Sequence, residues 1–365
     1  MRVGIIGGGQ LGRMMALAGH DLGITCTTLD PSPSSPAAQV APAITGAYDD
    51  RDALLALAER SDVITFEFEN VPAESTRFLA DRGVALHPVP DALAVAQDRL
   101  LEKILFTEVG LRVPVFAAVE DLASLGVAVA AVGLPAVLKT RRLGYDGKGQ
   151  AVLRSVERAE DAWRAIGEVP AILEALVRFE REVSVIAVRG ADGAFAAWPL
   201  VQNEHREQML RTSVARAPDV DALQPAAESH ARAIAERLGY VGVLAIELFV
   251  HDGRLLGNEM APRVHNSGHW TIEGSVTSQF ENHLRAVCGL PLGPTSMVRP
   301  AAAMVNLIGS IPEEAALLAV AGAHVHRYGK DPRPGRKLGH VTLTADDPET
   351  LQGLMLQVAG LLADA

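Results

Sequence analysis

A glycine-rich basic segment, residues 139–150, points most directly to chemistry. It follows the apolar run 134–138 and reads Lys-Thr-Arg-Arg-Leu-Gly-Tyr-Asp-Gly-Lys-Gly-Gln, beginning at Lys139. Glycines let backbone N–H groups approach phosphate oxygens, and lysine supplies a neutralising charge. The pattern predicts a strand that opens into a polyphosphate-binding loop. A basic hairpin tip at the protein surface is the alternative interpretation.

Two carboxylates lie in a second region, on either side of the turn signal His251-Asp252-Gly253. Glu247 precedes the turn and Glu259 follows it, each within an apolar run that predicts a strand. A two-residue turn puts the carboxylates on opposite faces, whereas a three-residue loop puts them on one face, within reach of a shared cation. Because a buried carboxylate is costly unless paired or metal-bound, we expect Mg²⁺ there, flanked by Asn258. In the alternative, Glu247 pairs with a lysine and Glu259 caps a loop.

The N-terminal segment carries another glycine motif, Gly7-Gly8-Gly9-Gln10-Leu11-Gly12, between a predicted strand and a predicted helix. Together with Asp30 it fits the fingerprint of a nicotinamide-dependent dehydrogenase. A helix N-terminus can also hold any phosphate. Since hydride transfer explains neither the second glycine loop nor the paired glutamates, we expect this turn to face a phosphate or ribose of the substrate.

Two further clusters carry charge near predicted ligand positions. Glu67 and Glu69 lie at the carboxyl end of a predicted strand, where open α/β sheets place their ligands, although a solvated strand end is the alternative. Residues 330–337, Lys-Asp-Pro-Arg-Pro-Gly-Arg-Lys, gather cations between prolines and a glycine. This segment predicts an anion site, with a solvated basic turn as the alternative.

The composition of the chain limits the classes of protein to which it can belong. The chain has 365 residues, a net charge of −11, 48% hydrophobic and 21% charged residues, so we expect two or three domains with real cores and no bulk nucleic-acid binding. Cys26 and Cys288 are expected to be free, buried thiols in a reducing cytosol. The start of the chain lacks the features of a signal peptide, and the apolar run 122–138 contains Pro135, so no membrane segment is expected.

The order of strand and helix patterns predicts an α/β fold. Alternating strands and helices through residue 98 predict a Rossmann-like parallel sheet. Residues 99–174 predict a small α+β lobe that carries the glycine loop. Residues 175–365 predict a large lobe of antiparallel strands, including 182–188 and 194–201, the hairpin 244–260 and a helix at 226–238.

These motifs together resemble a known family. Lys139 with its glycine loop, Glu247, Asn258-Glu259 and the run Ala261–Trp270 are similar to those of ATP-grasp carboxylate–amine ligases. Within that group, the N-terminal Gly-Gly-Gln-Leu-Gly-Arg-Met, Arg-Thr-Ser-Val at 211–214 and the basic segment 330–337 resemble the 5-(carboxyamino)imidazole ribonucleotide synthase family of purine biosynthesis. The resemblance extends from residue 1 to about residue 345.

The resemblance implies roles for individual residues. It implies that Asp146, Arg263, His265 and Asn266 are catalytic and that Glu247 and Glu259 bind Mg²⁺, or Mn²⁺ in its place. It implies substrate contacts from Gln10, Leu11, Glu69, Lys330, Arg336 and Lys337. It implies ATP contacts from Arg99, Lys139, Gly144, Tyr145, Asp146, Gly147, Lys148, Gly149, Gln150, Glu174, Ala175, Val177, Glu182, His205, Asn258 and Glu259.

The family chemistry gives the expected reaction. ATP phosphorylates bicarbonate, and the amine of 5-aminoimidazole ribonucleotide takes up the resulting carboxyl group, giving ADP and phosphate. The resemblance also implies a cytoplasmic homodimer with small-molecule partners. Two alternatives remain: a sister ATP-grasp enzyme that uses formate and glycinamide ribonucleotide, and a nucleotide sensor without catalysis. Gln10 and Asn266 argue against the first, and the complete set of acidic residues argues against the second.

Overall fold

The computed structural model describes residues 1–144, 148–218 and 220–363. The N-terminal part is a four-stranded parallel sheet with strand order β3-β2-β1-β4. Its strands are short, all but the edge strand β3 are mostly buried, and the apolar stripe of α1 packs onto them. The elements are β1 (Arg2–Ile6), α1 (Gln10–Asp21), β2 (Thr25–Asp30), β3 (Ala43–Thr45), α2 (Arg51–Glu59), β4 (Val63–Phe66), α3 (Ala73–Ala80) and α4 (Pro90–Ala96).

A small lobe follows, built on a four-stranded antiparallel sheet with strand order β5-β8-β6-β7. Leu138, Leu173 and Trp163 form part of its own apolar core. The glycine-rich segment joins β6 to β7, as predicted. The elements are α5 (Arg99–Glu108), β5 (Phe116–Val119), α6 (Leu122–Val132), β6 (Ala136–Thr140), β7 (Gln150–Leu153), α7 (Ala159–Ala165) and β8 (Ala171–Ala175).

The remaining strands form one large antiparallel sheet with order β14-β13-β9-β11-β12-β15-β17-β16, and β10 pairs with β9. Three cores cover its faces, one shared with α1 and α10, one with α8 and one with α12. Its elements are β9 (Arg181–Arg189), β10 (Phe195–Ala197), β11 (Val201–Arg206), β12 (Met209–Ala215), α8 (Gln224–Arg237), β13 (Gly242–His251), β14 (Arg254–Ala261), α9 (Thr271–Gly274), α10 (Gln279–Val287), β15 (Ala301–Ile308), α11 (Glu314–Leu318), β16 (Ala323–Arg327), β17 (Lys337–Ala345) and α12 (Pro348–Ala363).

The predicted fold class is confirmed: a parallel α/β sheet is followed by two antiparallel α+β lobes. The single strand predicted at 194–201 is wrong. Pro199 lacks the N–H that a continuing strand needs, so the chain leaves the sheet after β10 and re-enters it as β11.

The two cysteines are free, as predicted, but only Cys26 is fully buried and Cys288 is partly exposed. Among the helices of the described ranges, none has the length and apolar character needed to cross a membrane.

Candidate active site

The β13–β14 hairpin brings the two predicted metal carboxylates together. Its turn is the two-residue Asp252-Gly253, with φ of +48° and +65°, so the three-residue loop considered for this turn is wrong. A β-bulge at Asn258 then shifts the register, and Glu247 lies directly opposite Glu259. Because opposed residues of an antiparallel pair share a face, both carboxylates point to the same side of the sheet.

Helix α5 holds this bulge from behind. The Met260 amide donates to Glu102 Oε1 over 2.5 Å. The Lys103 ammonium, with none of its side chain exposed, donates to the carbonyl of Gly257 at 3.3 Å and to that of Asn258. Sequence reasoning missed both residues; the signal it could have used is a Glu-Lys pair inside an otherwise apolar helix face, since such charges need buried partners. We call Glu102 and Lys103 the α5 clamp.

The electrostatics of the carboxylate pair favour a cation. Burial, together with the charge of Glu259, raises the pKa of Glu247 to about 7. Burial also acts to raise the pKa of Glu259, but Arg99, whose guanidinium lies 3.0 Å from it, holds that pKa below its ordinary value. Since Arg99 pairs with Glu259 alone, the two carboxylates leave uncompensated negative charge at Glu247, which a divalent cation would neutralise.

The remaining ligands of such a cation must come from elsewhere. Within the described ranges, no group of three or more His, Cys, Asp or Glu side chains is arranged to hold a metal. Two carboxylate ligands with phosphate oxygens and water are the coordination that Mg²⁺ uses at nucleotide sites. The residues present therefore fit Mg²⁺ bound together with a nucleotide.

Lys139 lies at the end of β6, beside the same cleft. Its ammonium donates to Glu174 Oε2 at 2.9 Å, and Lys103 Nζ lies 3.7 Å from the same oxygen. Glu174 is 2% exposed: its Oε2 faces the two lysines, whereas its Oε1 is buried without a hydrogen-bond partner among the described residues. Its backbone lies in β8, between β5 and β6. Beyond it, the Ala175 amide donates to Val115.

The base of the glycine loop is closed by β6 and β7. The Thr140 amide donates to the Gly149 carbonyl at 2.8 Å, and Gly149, at φ +71°, leaves no room for a Cβ beside the Thr140 hydroxyl. A Cβ at Gly144 would lie 3.7 Å from the Arg99 guanidinium, so the loop starts next to that arginine. Gln150 donates across to Gln208 of the β11–β12 turn at 3.0 Å. Tyr145, Asp146 and Gly147 lie outside the described residues.

Polar side chains line one face of the large sheet on five neighbouring strands. The register pairs Ser213 with Asn203, Asn203 with Glu182, and Ser184 with Glu247, which in turn faces Glu259. Glu182 also forms an ion pair with His205. Burial opposes charge on His205, but this partner raises its pKa above the ordinary value. The predicted ribose carboxylate and the predicted ATP-contacting histidine therefore contact each other on the face that carries the metal pair.

The segment after β14 covers this face. Arg263, 13% exposed, forms an ion pair with Glu69, which follows β4 of the N-terminal sheet. His265 Nε2 lies 3.2 Å from Glu247 Oε1, and burial lowers the pKa of His265 to about 3, so its ring is neutral. Within the described ranges, both side-chain polar atoms of Asn266 are buried without a hydrogen-bond partner. Since such atoms are costly, Asn266 is suited to contact a ligand.

The N-terminal turn is already occupied by carboxylates of the chain itself. Glu67 accepts from the Gly9 amide at 2.8 Å and from the Gly12 amide at 3.0 Å, while Asp30 accepts from the Gly8 amide at 2.8 Å. These contacts correct the expectation that the whole glycine motif faces the substrate, because a phosphate there would displace buried carboxylates. Glu67 and Glu69, which both follow the end of the strand at Phe66, therefore have different partners. Only the amides of Gln10 and Leu11 stay at the exposed end of the helix.

The C-terminal basic segment meets that helix end. Lys330 donates to the side-chain oxygen of Gln10, and Gly329 accepts from Gln39 at 3.3 Å. Burial lowers the pKa of Lys330 to about 8, and the charges of Arg336, Lys337 and Arg333 act in the same direction. Several cations thus converge on the start of α1, which is the electrostatic requirement for an anion site.

Three family models match successive parts of the chain. Residues 1–97 match the ribonucleotide synthetase preATP-grasp domain, residues 104–280 match the ATP-grasp domain, and residues 302–353 match the phosphoribosylaminoimidazole carboxylase C-terminal domain.

Similar proteins cover nearly the whole chain. The N5-carboxyaminoimidazole ribonucleotide synthase of Pseudomonas aeruginosa is 51% identical over 362 residues, which is 99% of each chain. The crystal structure of the synthetase of that name from Thermus thermophilus has a TM-score of 0.94 at 52% identity and covers 98% of each chain. The Aspergillus clavatus synthase in complex with ADP and 5-aminoimidazole ribonucleotide has a TM-score of 0.92 at 29% identity, covering 100% of this chain and 99% of the other.

Proposed function

The chain belongs to the N5-carboxyaminoimidazole ribonucleotide synthase family of ATP-grasp ligases, and we propose from this premise how its residues divide the work. The reaction of the family is the ATP-dependent carboxylation of 5-aminoimidazole ribonucleotide in purine biosynthesis, with formation of a C–N bond. The observation that carries the assignment in this chain is the face shared by Glu247, Glu259 and Arg99, next to Lys139 and the glycine loop.

ATP is the first substrate. Lys139 and Lys148 neutralise its phosphates from the small lobe, and Arg99 does so from α5. The backbone at Glu174, Ala175 and Val177 meets the adenine, and Glu182 with His205 meets the ribose. Glu247 and Glu259 hold Mg²⁺, with Mn²⁺ as a substitute, beside Asn258. That ion supplies charge neutralisation at the transferred phosphoryl group.

Bicarbonate and the ribonucleotide bind on the other side of the metal pair. A bicarbonate oxygen attacks the γ-phosphorus, and the bond to the ADP oxygen breaks. The amine then attacks the carboxyl carbon, the C–O bond to phosphate breaks, and the amine loses a proton. Arg263 stabilises the negative charge that develops on the carboxyl group, and Asn266 orients it. His265, the other predicted catalytic residue, acts at the same point through Glu247, since its Nε2 lies 3.2 Å from that carboxylate and its Nδ1 lies 2.8 Å from Ser267 Oγ. Asp146, outside the described residues, is the proposed group beside the amine.

The ribonucleotide is held between the N-terminal sheet and the C-terminal segment. Lys330, Arg336 and Lys337 form a clamp for its 5′-phosphate, together with the amides of Gln10 and Leu11. Arg263 pairs with Glu69 Oε2, and Glu69 contacts the ribose hydroxyls through its other carboxylate oxygen. The cations converging on Gln10 support this arrangement.

Assembly and location form a separate proposal. We propose a homodimer in the cytoplasm, supported by the family resemblance and by two thiols that are free, as in a reducing compartment. Sedimentation of the purified protein tests the dimer: the mass of a single chain at micromolar concentration contradicts it.

The choice of substrates tests the proposed function. ADP formation is measured in bicarbonate-depleted buffer with 5-aminoimidazole ribonucleotide present, and bicarbonate and formate are added back separately. We expect bicarbonate alone to restore ADP formation. Restoration by formate with glycinamide ribonucleotide would identify the sister enzyme, and nicotinamide reduction would identify a dehydrogenase. Nucleotide binding without turnover under any condition would indicate a sensor.

A further inference from the structure

A continuous line of buried hydrogen bonds crosses the large sheet and ends at Glu247. Ser213 Oγ lies 2.9 Å from Asn203 Oδ1, and Asn203 Nδ2 lies 3.0 Å from Ser184 Oγ. Ser184 Oγ lies 2.8 Å from Ser267 Oγ, which lies 2.8 Å from His265 Nδ1. The opposite ring nitrogen reaches Glu247 Oε1 at 3.2 Å. We call this line, from Ser213 to His265, the relay.

The chemistry of the groups fixes the direction of every bond in the relay. The backbone amide of Ser267 donates to His265 Nδ1 at 3.3 Å, so that nitrogen is an acceptor. A neutral imidazole with Nδ1 as acceptor carries its hydrogen on Nε2, which therefore donates to Glu247. At the far end, the amide oxygen of Asn203 can only accept, so Ser213 donates to it.

The hydroxyls in between follow from these two ends. Asn203 Nδ2 can only donate, so Ser184 Oγ accepts from it and uses its own hydrogen toward Ser267. Ser267 then has its hydrogen free for His265 Nδ1. All five bonds point toward Glu247, and aligned hydrogen bonds of this kind polarise one another.

The side chains of the relay are buried inside the protein. Ser184, Ser213 and Ser267 have no exposed surface, and Asn203 is 7% exposed. Apolar residues on the same sheet face would avoid the desolvation cost of four polar side chains. The polar set also ends at a metal carboxylate rather than within the core, which is the arrangement by which outer residues orient a metal ligand.

We propose that Ser213, Asn203, Ser184 and Ser267 are positioning residues that hold His265 in its Nε2–H tautomer. In that form His265 donates to Glu247 Oε1 and leaves the other oxygen of the carboxylate for the cation. This inference rests on the proposed role of Glu247 in metal binding, and it assigns a function to residues on β9, β11 and β12, far along the chain from the hairpin.

Two measurements on Ser267→Ala test the relay. In protein with ¹⁵N-labelled histidine, the His265 signals, identified by their absence in His265→Gln, report which ring nitrogen carries the hydrogen. Mn²⁺ affinity, measured by electron paramagnetic resonance with a non-hydrolysable ATP analogue, reports the metal site. We expect Ser267→Ala, which keeps only the longer amide contact to Nδ1 at 3.3 Å, to raise the share of the Nδ1–H tautomer and to lower the affinity by about ten- to a hundredfold. An affinity and a tautomer equal to those of the wild type would overturn the proposal.

Matched variants separate positioning from packing. Ser275→Ala removes another buried serine, bonded to Trp198 outside the relay, and is expected to leave Mn²⁺ affinity unchanged; an equal loss there would overturn the proposal. Asn203→Asp replaces the donor of Ser184 by an acceptor and is expected to reverse the bonds from residue 203 to His265, while Ser213 still donates to residue 203. Asn306→Asp, at a buried position on β15, is expected to leave them unchanged. Identical His265 signals in both aspartate variants would contradict it.

The outcome is independent of the carboxylation assay. A wild-type protein that binds Mn²⁺ with the nucleotide analogue but does not carboxylate 5-aminoimidazole ribonucleotide refutes the proposed function. The tautomer and affinity of Ser267→Ala would still decide on the relay.

Discussion

At the scale of single residues, three carboxylates of the cleft are each paired with a specific cation. Glu69 pairs with Arg263, Glu259 with Arg99, and Glu174 with Lys139. Glu247 lies against a neutral histidine instead, so burial and the neighbouring Glu259 leave its charge least compensated. A cation bound at Glu247 would remove this imbalance of charge, which supports the proposed metal site.

Substitution of Glu259 tests the metal pair. Glu259→Gln removes a negative ligand while keeping the size of the side chain, so ATP turnover at fixed Mg²⁺ should fall at least about a hundredfold, since even outer-shell changes cost ten- to a hundredfold. Circular dichroism should show an unchanged fold. The matched control is Glu236→Gln, which makes the same change from carboxylate to amide at an exposed position on α8. Near-normal turnover of Glu259→Gln at the same Mg²⁺ concentration would refute the assignment.

The pH dependence of substrate binding tests Lys330. Its pKa is lowered to about 8, so the ammonium is charged below pH 8 and neutral above it. If it binds the 5′-phosphate, kcat/KM for 5-aminoimidazole ribonucleotide should fall as pH rises through about 8, while kcat/KM for ATP should not follow the same curve. Lys330→Arg, which stays charged, should abolish this fall. A fall that persists in the arginine variant would contradict the role of Lys330.

At the scale of elements, the β13–β14 hairpin shows what local sequence can and cannot specify. Asp252-Gly253 is a strong signal for a two-residue turn, and that turn is present. Turn chemistry alone would place Glu247 and Glu259 on opposite faces. The bulge at Asn258 instead places them on the same face. Helix α5 contacts this bulge, and one of these contacts joins Met260 to Glu102, more than 150 residues apart in sequence. The spacing of residues along the chain does not indicate such a contact.

The α5 clamp makes that dependence testable. Lys103→Met should lower the thermal unfolding midpoint, because it leaves the Gly257 and Asn258 carbonyls without their donor and the buried Glu102 without the charge of Lys103. Turnover, measured well below that midpoint, should fall by about ten- to a hundredfold, since Glu259 loses its register.

Neighbouring substitutions refine the test of the clamp. Glu102→Gln keeps an acceptor for the Met260 amide, and Glu102→Leu removes it. Hydrogen exchange at Met260 and ATP turnover should therefore be close to wild type in the first variant and altered in the second. Equal behaviour of the two variants would show that the contact does not hold the bulge.

At the scale of the whole molecule, the site is built where three distant parts of the chain meet. Gln10 of the N-terminal helix contacts Lys330, and Glu69 contacts Arg263 of the segment after β14. The glycine loop approaches Arg99 from the small lobe. Periodicity and turn signals were sufficient to predict the three sheets, because each sheet has its own apolar pattern.

The contacts between these parts were harder to predict. That Glu67 and Asp30 would cap the N-terminal glycine turn could not be read from the sequence, because phosphate and carboxylate satisfy the same amides. The cluster of cations at 330–337 was visible, whereas its place beside Gln10 depends on packing across 320 residues of chain. Resemblance to a family supplied the joint interpretation that local patterns left open.

The fate of a bicarbonate oxygen tests the central claim most directly. The reaction is run with ATP, 5-aminoimidazole ribonucleotide and ¹⁸O-labelled bicarbonate, over times shorter than the exchange of bicarbonate with water, and the phosphate is analysed by mass spectrometry. If a bicarbonate oxygen attacks the γ-phosphorus, one ¹⁸O should appear in each phosphate released, in step with carboxylated product. Phosphate that contains no ¹⁸O would show that water attacks ATP instead, and it would contradict the proposed reaction.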